Sequence, residues 1–206
     1  MRANKRSVEN SEIVLLVQNN TSKKNYLDST QSLTLAVLGA ISIQITPIER
    51  LIQTVWALMD GGWKPPVEVI SGTLKSQVEL GHIVETESWV QSVPFLYGLT
   101  PKGAEEFQIL IRKPLPTCVD PISCSSAAIK YGLLDLIENE DLHLVAEDLD
   151  RFFKAMRASL KDRLEVIRND RPFIYGAVGE RITCVDKRLS TINRFIKSQA
   201  RRNLVP

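Results

Sequence analysis

Histidine is nearly missing from this chain, with two in 206 residues, and cysteine is scarce and odd in number: Cys118, Cys124 and Cys184, with no CxxC pair. That spacing favours neither a disulfide framework nor a zinc site, and it fits a reduced intracellular setting. His82 and His143 lack cysteine or carboxylate companions at ligand spacing, so no metal and no cofactor are expected. The basic start MRANKR is followed only by the short apolar run Ile13 to Val17, far below the roughly 20 residues of a bilayer span, and no small-residue cleavage site follows. The expectation is a soluble, cytoplasmic protein with no membrane partner. No serine-histidine-acid set, glycine-rich phosphate loop or HExxH is present, and Glu147-Asp148 with Asp150 reads as a solvated helical face, so the chain is not expected to be an enzyme. Charge of one sign is also lacking. A net +2 neither makes nor excludes a nucleic-acid binder, because phosphate affinity comes from clustered cations.

What is present is apolar content, 44% of the chain, patterned at helical spacing. Residues 1–29 are polar and basic apart from Ile13 to Val17 and read as an extension. Ser32 to Ile43 is apolar almost all round, which predicts a buried helix. Thr46-Pro47-Ile48-Glu49 predicts a capping box opening a second helix, with Ile48, Leu51, Ile52, Val55 and Leu58 as its stripe and Asp60-Gly61-Gly62 as its stop. A third helix from Pro65-Pro66 to Gly81 carries Val67, Ile70, Leu74 and Val78 on one face. The alternation in "HIVETESW" and the short "FLYGLT" predict a β-hairpin, after which Thr100-Pro101 opens a helix with Phe107, Leu110 and Ile111 that Pro114 and Pro116 close.

Beyond residue 113 the pattern is helical: Ser123 to Ile137, then Asp141 to Asn169, then, after Pro172, a segment with Ile174, Val178, Ile182, Val185, Leu189, Ile192 and Ile196 at coiled-coil-like spacing. Over about 30 residues that last segment would be roughly 45 Å long and needs a partner. The fold class read from these patterns is mostly α with a small β-hairpin: a winged helix-turn-helix domain over 30–113 followed by a helical dimerisation domain over 114–206.

In this register the chain resembles the PadR family of bacterial transcription regulators, over about Ser32 to Ile196. "LAVLGAIS" at Leu35 to Ser42 resembles the opening helix of the family, "GGWKPP" its entry to the recognition helix, and "YGLTPKG" at Tyr97 to Gly103 its tyrosine-x-leucine-threonine-x-x-glycine at the end of the wing. "YGAVGERITCVDKRLSTINRFI" resembles the closing helix. The resemblance implies a homodimer that binds operator sequences in double-stranded DNA, with a small-molecule effector of unspecified identity. The chain departs from the pattern in three places. Thr46 to Glu49 replaces a histidine-glycine-tyrosine turn, Pro66 to Ser71 reads "PVEVIS" in place of serine-proline-glycine-threonine-leucine-tyrosine, and Thr86 to Phe95 contains no lysine or arginine.

The residues expected at DNA are Lys75 and Ser76 on the recognition helix with Ser71 one turn earlier, Lys64 and Lys102 as phosphate contacts that hold register, and Gln91 and Ser92 in the wing. The plainer reading of each is an ordinary solvated position. Gly72, costly inside a helix, signals either a close backbone approach to a surface such as DNA or simple imperfection. Trp56 and Trp63 read as core aromatics rather than a ligand stack. The alternative function is a winged-helix module that docks on a protein, for which Glu68, Glu79 and the uncharged wing speak.

Overall fold

A computed structural model describes residues 26–59, 63–89, 94–167 and 171–202. Gln91, Ser92 and nearly all of the 1–29 extension, including Ile13 to Val17, lie outside the described residues. Near the start of the described part lie Leu27, which is buried, and Asp28, whose carboxylate accepts the Gln31 N–H (2.8 Å) while the Gln31 side chain reaches back to the Asp28 N–H. This capping box starts helix α1 (Ser29–Ile43), three residues earlier than the apolar pattern indicates. From Ser32 to Ile41 every residue of α1 is buried, because α2, α3, α4 and α5 all pack around it.

Helix α2 (Ile48–Leu58) buries Leu51, Ile52 and Val55. The expected Thr46 capping box is not formed. Pro47 holds the N-cap position with no side-chain bond, and Thr46 is buried and exchanges both backbone hydrogen bonds with Tyr97 (3.2 and 3.0 Å). Thr46 thus adds a one-residue third strand to the wing, so its backbone is spent on the sheet before it can cap a helix.

Helix α3 (Val67–Glu79) faces the core through Ile70, Leu74 and Gln77. Of the four residues expected on that face, Val67 is exposed and Val78 half-buried, since the stripe tilts toward Gln77 in the last turn. Strands β1 (Ile83–Glu87) and β2 (Phe95–Leu99) pair antiparallel in the register Ile83↔Leu99 to Glu87↔Phe95. Thr100 caps α4 (Pro101–Arg112), which buries Phe107, Leu110 and Ile111.

The remaining elements are α5 (Pro121–Gly132), a 3₁₀ turn at Leu134–Leu136, α6 (Asn139–Val166) and α7 (Pro172–Arg202). Asp120 starts α5 with a second capping box on Ser123, two residues ahead of the expected start. Burial raises the Asp120 pKa but is outweighed by hydrogen bonds from Cys118 and Ser123, which hold the carboxyl below its usual range. The architecture is therefore a winged helix-turn-helix followed by a helical region in which α6 and α7 pack against each other.

Candidate nucleic-acid interface

Both ends of α3 are fixed by named contacts. At its entry, the Trp56 indole donates to the Pro65 carbonyl (3.0 Å) and the Trp63 N–H reaches the Ser125 hydroxyl of α5 (3.4 Å). Trp56 is half-buried and Trp63 is exposed, so the core reading holds for the first more than for the second.

At its exit, Gly81 adopts φ +74°, a conformation that side-chain-bearing residues rarely take. That turn lets the His82 N–H reach the Gln77 carbonyl and the Gly81 N–H the Val78 carbonyl, both at 2.9 Å, which is the double bond of a Schellman cap. The buried Gln77 side chain and the His82 ring meet at 2.7 Å, which ties the ring to the last turn of α3. The Thr100 hydroxyl bonds the Gly81 carbonyl (2.8 Å), and the Thr100 N–H bonds the His82 carbonyl (3.0 Å). A Cβ on Gly103 would lie 2.0 Å from that same His82 carbonyl oxygen. Within "YGLTPKG" the threonine and the last glycine therefore exist to seat α4 on the end of α3.

Lys102, expected at phosphate, donates to the Leu80 carbonyl at 2.7 Å. Its charge sits at the C-terminus of α3, where a cation is favoured by the helix dipole. Lys64 is exposed, and so are Lys75 and Ser76. Lys75 has Glu79 one turn away at 4.0 Å, with both side chains mostly solvated. Ser71 is half-buried, and a Cβ on Gly72 would meet nothing within 4 Å, so the chain itself leaves the outer side of α3 open.

The electrostatics of that surface are acidic. Between Trp63 and Trp89 the cations are Lys64 and Lys75, against Glu68, Glu79, Glu85 and Glu87. Glu85 lies beside Tyr97, whose hydroxyl pKa is raised first by burial and then by this carboxylate. Val67, Val69, Leu80 and Val84 are each between 41% and 50% exposed, and Trp89 is fully exposed. The interface thus mixes a few hydroxyls and one paired lysine with carboxylates and apolar side chains.

Two features of the helical half escaped sequence reasoning. First, α5, α6 and α7 with Met59 at the end of α2 line a partly open cavity of about 690 Å³. Its walls carry Met156, Leu160 and Val185 together with Arg163, Arg181 and Arg188. The Arg188 guanidinium lies 5.4 Å from both the Tyr131 and Phe153 ring centres, and burial lowers its pKa. The Cys124 thiol on the same wall is pushed up by burial, against the charges of Arg181 and Arg163. No motif announces this cavity, because its residues come from four separate helices.

Second, the α7 stripe is divided. Val185, Leu189 and Ile192 are buried, and Val178, Ile182 and Ile196 are half-buried, all against the core that α6 shares, while Ile174 is exposed. Part of the long periodic face expected at the dimer interface thus meets α6 inside the chain, while its first two turns are left open. Phe173, at 93% exposure, and Tyr175 flank Ile174 at the open end.

Among the described residues no group of three or more His, Cys, Asp or Glu is placed to hold a metal ion, and no helix is long and apolar enough to cross a membrane.

No family model and no curated protein matches the sequence. Solved structures of Bacillus subtilis PadR are similar to it at low identity. The complex of that protein with operator DNA is 15% identical, with 81% of this chain and 98% of that chain covered and a TM-score of 0.40. The PadR structure without a named ligand is also 15% identical, covering 84% and 97%, with a TM-score of 0.39. The complex with p-coumaric acid is 14% identical, covering 84% and 98%, with a TM-score of 0.37.

Proposed function

We propose that the chain is a homodimeric winged-helix transcription regulator that binds double-stranded DNA through α3. The observation that carries this reading is the construction of α3: pinned at both ends, and open along the side that bears Ser71, Gly72, Lys75 and Ser76. A rigid helix with an unobstructed outer side is what major-groove reading requires. Lys75 and Lys64 are the phosphate contacts, Ser76 and Ser71 the groove contacts, and Lys102 serves by holding α3 in place. Gln91 and Ser92 remain candidates in the wing.

Dimerisation is assigned to the open end of α7, with Phe173, Ile174 and Tyr175 at its centre and Val178 and Ile182 at its margin. The cavity lined by Arg163, Arg181 and Arg188 is the place for a small effector, with apolar walls and guanidinium groups suited to an amphipathic anion.

A salt-titrated gel shift with DNA from upstream of its own gene tests the reading. Preferential binding over random DNA, weakened by about 1 kcal/mol in Lys75→Ala with a salt slope reduced by ~1, is the expected result. Light scattering should show a dimer that Phe173→Glu with Ile174→Glu turns into a folded monomer, and a monomeric parent chain would remove the assembly.

A second reading is carried by the four glutamates and the exposed Val67, Val69, Leu80, Val84 and Trp89: α3 and the wing dock on a basic, partly apolar protein surface. Binding to random and upstream DNA alike only at low salt, together with stoichiometric capture of one protein partner that Trp89→Ala abolishes, would establish that reading instead.

A further inference from the structure

Among the described residues, one of the largest fully buried side chains is a lysine. Lys130, on α5, has a relative accessibility of 0%, and its ammonium reaches the Lys113 carbonyl and, at 3.4 Å, the Asp148 carboxylate of α6. Asp148 is spent on the same place from the other side: it accepts the Leu115 N–H at 2.9 Å and pairs with Arg151. The intervening Pro114 carbonyl takes the Leu27 N–H at 3.2 Å, and the Leu115 side chain is buried. Lys113 to Leu115 is the stretch by which the chain leaves α4 for the helical half. Its backbone groups are claimed in turn by α5, by Leu27 ahead of α1 and by α6. Asp148 is therefore not part of a solvated helical face, as its sequence neighbourhood suggests.

We infer that the Lys130–Asp148 pair, closed on the Lys113–Leu115 backbone, is a positioning latch that sets the orientation of the winged helix on the helical half. A connection between two domains is by default a hinge, and here it has been made rigid. The energetics point the same way. Desolvation of the ammonium lowers its pKa to about 8 even though Asp148 opposes the shift, and an apolar side chain of similar volume would pack there at a smaller cost. What the charged pair provides and an apolar one cannot is a directional grip on the Lys113 carbonyl and the Leu115 N–H. Apolar contacts of α5 with α1 and of α6 with α4 join the two halves in one continuous core, and such contacts are non-directional, so the pair adds the directional bonds that fix one orientation among the packings such a core allows.

The consequence for DNA rests on the reading above: in a dimer, a fixed head orientation fixes the separation of the two α3 helices and hence the half-site spacing. The experiment has one arm independent of DNA. In a chain whose three cysteines are replaced, Ser76→Cys on α3 and Ala158→Cys on α6 carry spin labels, and labelled protein is diluted into an excess of unlabelled protein so that distances within one subunit are read. The parent should give one narrow distance. Lys130→Met should leave the melting transition cooperative and broaden the distance distribution about twofold or more, with linker cleavage between Lys113 and Asp120 appearing under limited proteolysis. A distribution as narrow as the parent's would overturn the latch. If Lys130→Met fails to fold, Asp148→Asn decides, because it keeps an acceptor for the Leu115 N–H and removes only the charge opposite Lys130. Broadening then supports the latch and an unchanged distance overturns it.

In the second arm, operators whose half-sites are shifted by about 5 bp should lose about tenfold in affinity with the parent and only about twofold with Lys130→Met. A parent that binds no DNA defeats the regulator reading and leaves the distance arm to judge the latch. A Lys130→Met chain that broadens in distance but keeps the full spacing penalty overturns the link to spacing.

Discussion

The stretch between Lys113 and Leu115 and the outer side of α3 are opposites in how their polar groups are used. At the junction a carbonyl, an N–H, an ammonium and a carboxylate are each matched to a named partner on another element. On α3 the outward groups are hydroxyls in water, a lysine one turn from a glutamate, and bare valine. Burial makes the difference. An unmatched polar group is expensive in the interior and costs little in solvent, so the junction is matched group by group and the outer surface is left for a partner to specify. The same contrast runs along α7, whose second half is committed to the core while its first two turns stay open.

The contrast is broken most severely at Gly103. Alanine there would drive a methyl group into the His82 carbonyl oxygen, and calorimetry should show a loss of about 3 kcal/mol or more, with α4 displaced from the end of α3.

The junction gives the next largest effect, and its sign follows from linkage. Lys130 has a folded pKa lowered to about 8, below its ordinary 10.5, so between these values the unfolded chain binds more protons than the folded one. Its contribution to stability therefore rises with pH from about 8 to 10.5, by up to ~3 kcal/mol, and is least favourable below pH 8. Denaturation curves for the parent minus those for Lys130→Met isolate this rise, and a flat difference would show that the ammonium is not desolvated as its burial indicates.

Thr100→Ala removes the cap on the Gly103 N–H and a bond to the Gly81 carbonyl together, and chemical denaturation should report a loss of about 1–2 kcal/mol.

Smallest, and opposite in sign, is Gly72→Ala. With nothing within 4 Å of the new methyl group, stability should increase by about 0.5–1 kcal/mol. A simultaneous drop in DNA affinity would mean that a duplex approaches the α3 backbone there. Unchanged affinity would make Gly72 an ordinary imperfection.

Much of the fold was legible because it is built from local signals. Thr100-Pro101, Gly81 and the alternation over Ile83 to Glu87 each mark a boundary within a few residues of where it falls. Asp28 and Asp120 show the limit of reading by apolar periodicity: both helices begin with a capping box in polar sequence, before any stripe is visible. Thr46 shows a different limit. Its neighbours have the composition of a cap, but Tyr97, far along the chain, competes for its backbone and wins.

The candidate site divided along the same line. Lys75 and Ser76 are exposed because they lie off the apolar face of α3, and Lys64 is exposed in the segment that leads into it. Lys102 had the right composition for a phosphate contact, yet the Leu80 carbonyl lies within its reach.

By itself the amino-acid sequence determined which segments become helix or strand and which face of each is apolar, since three-and-four spacing, alternation and caps act over a few residues. Only the tertiary structure decided what each face meets. It placed α7 against α6 along most of its stripe, set Lys130 and Asp148 around a three-residue junction, brought three arginines from two helices to one cavity wall, and left α3 open. Those outcomes depend on which distant surfaces bury each other at the least desolvation cost, and periodicity carries no information about the identity of a partner.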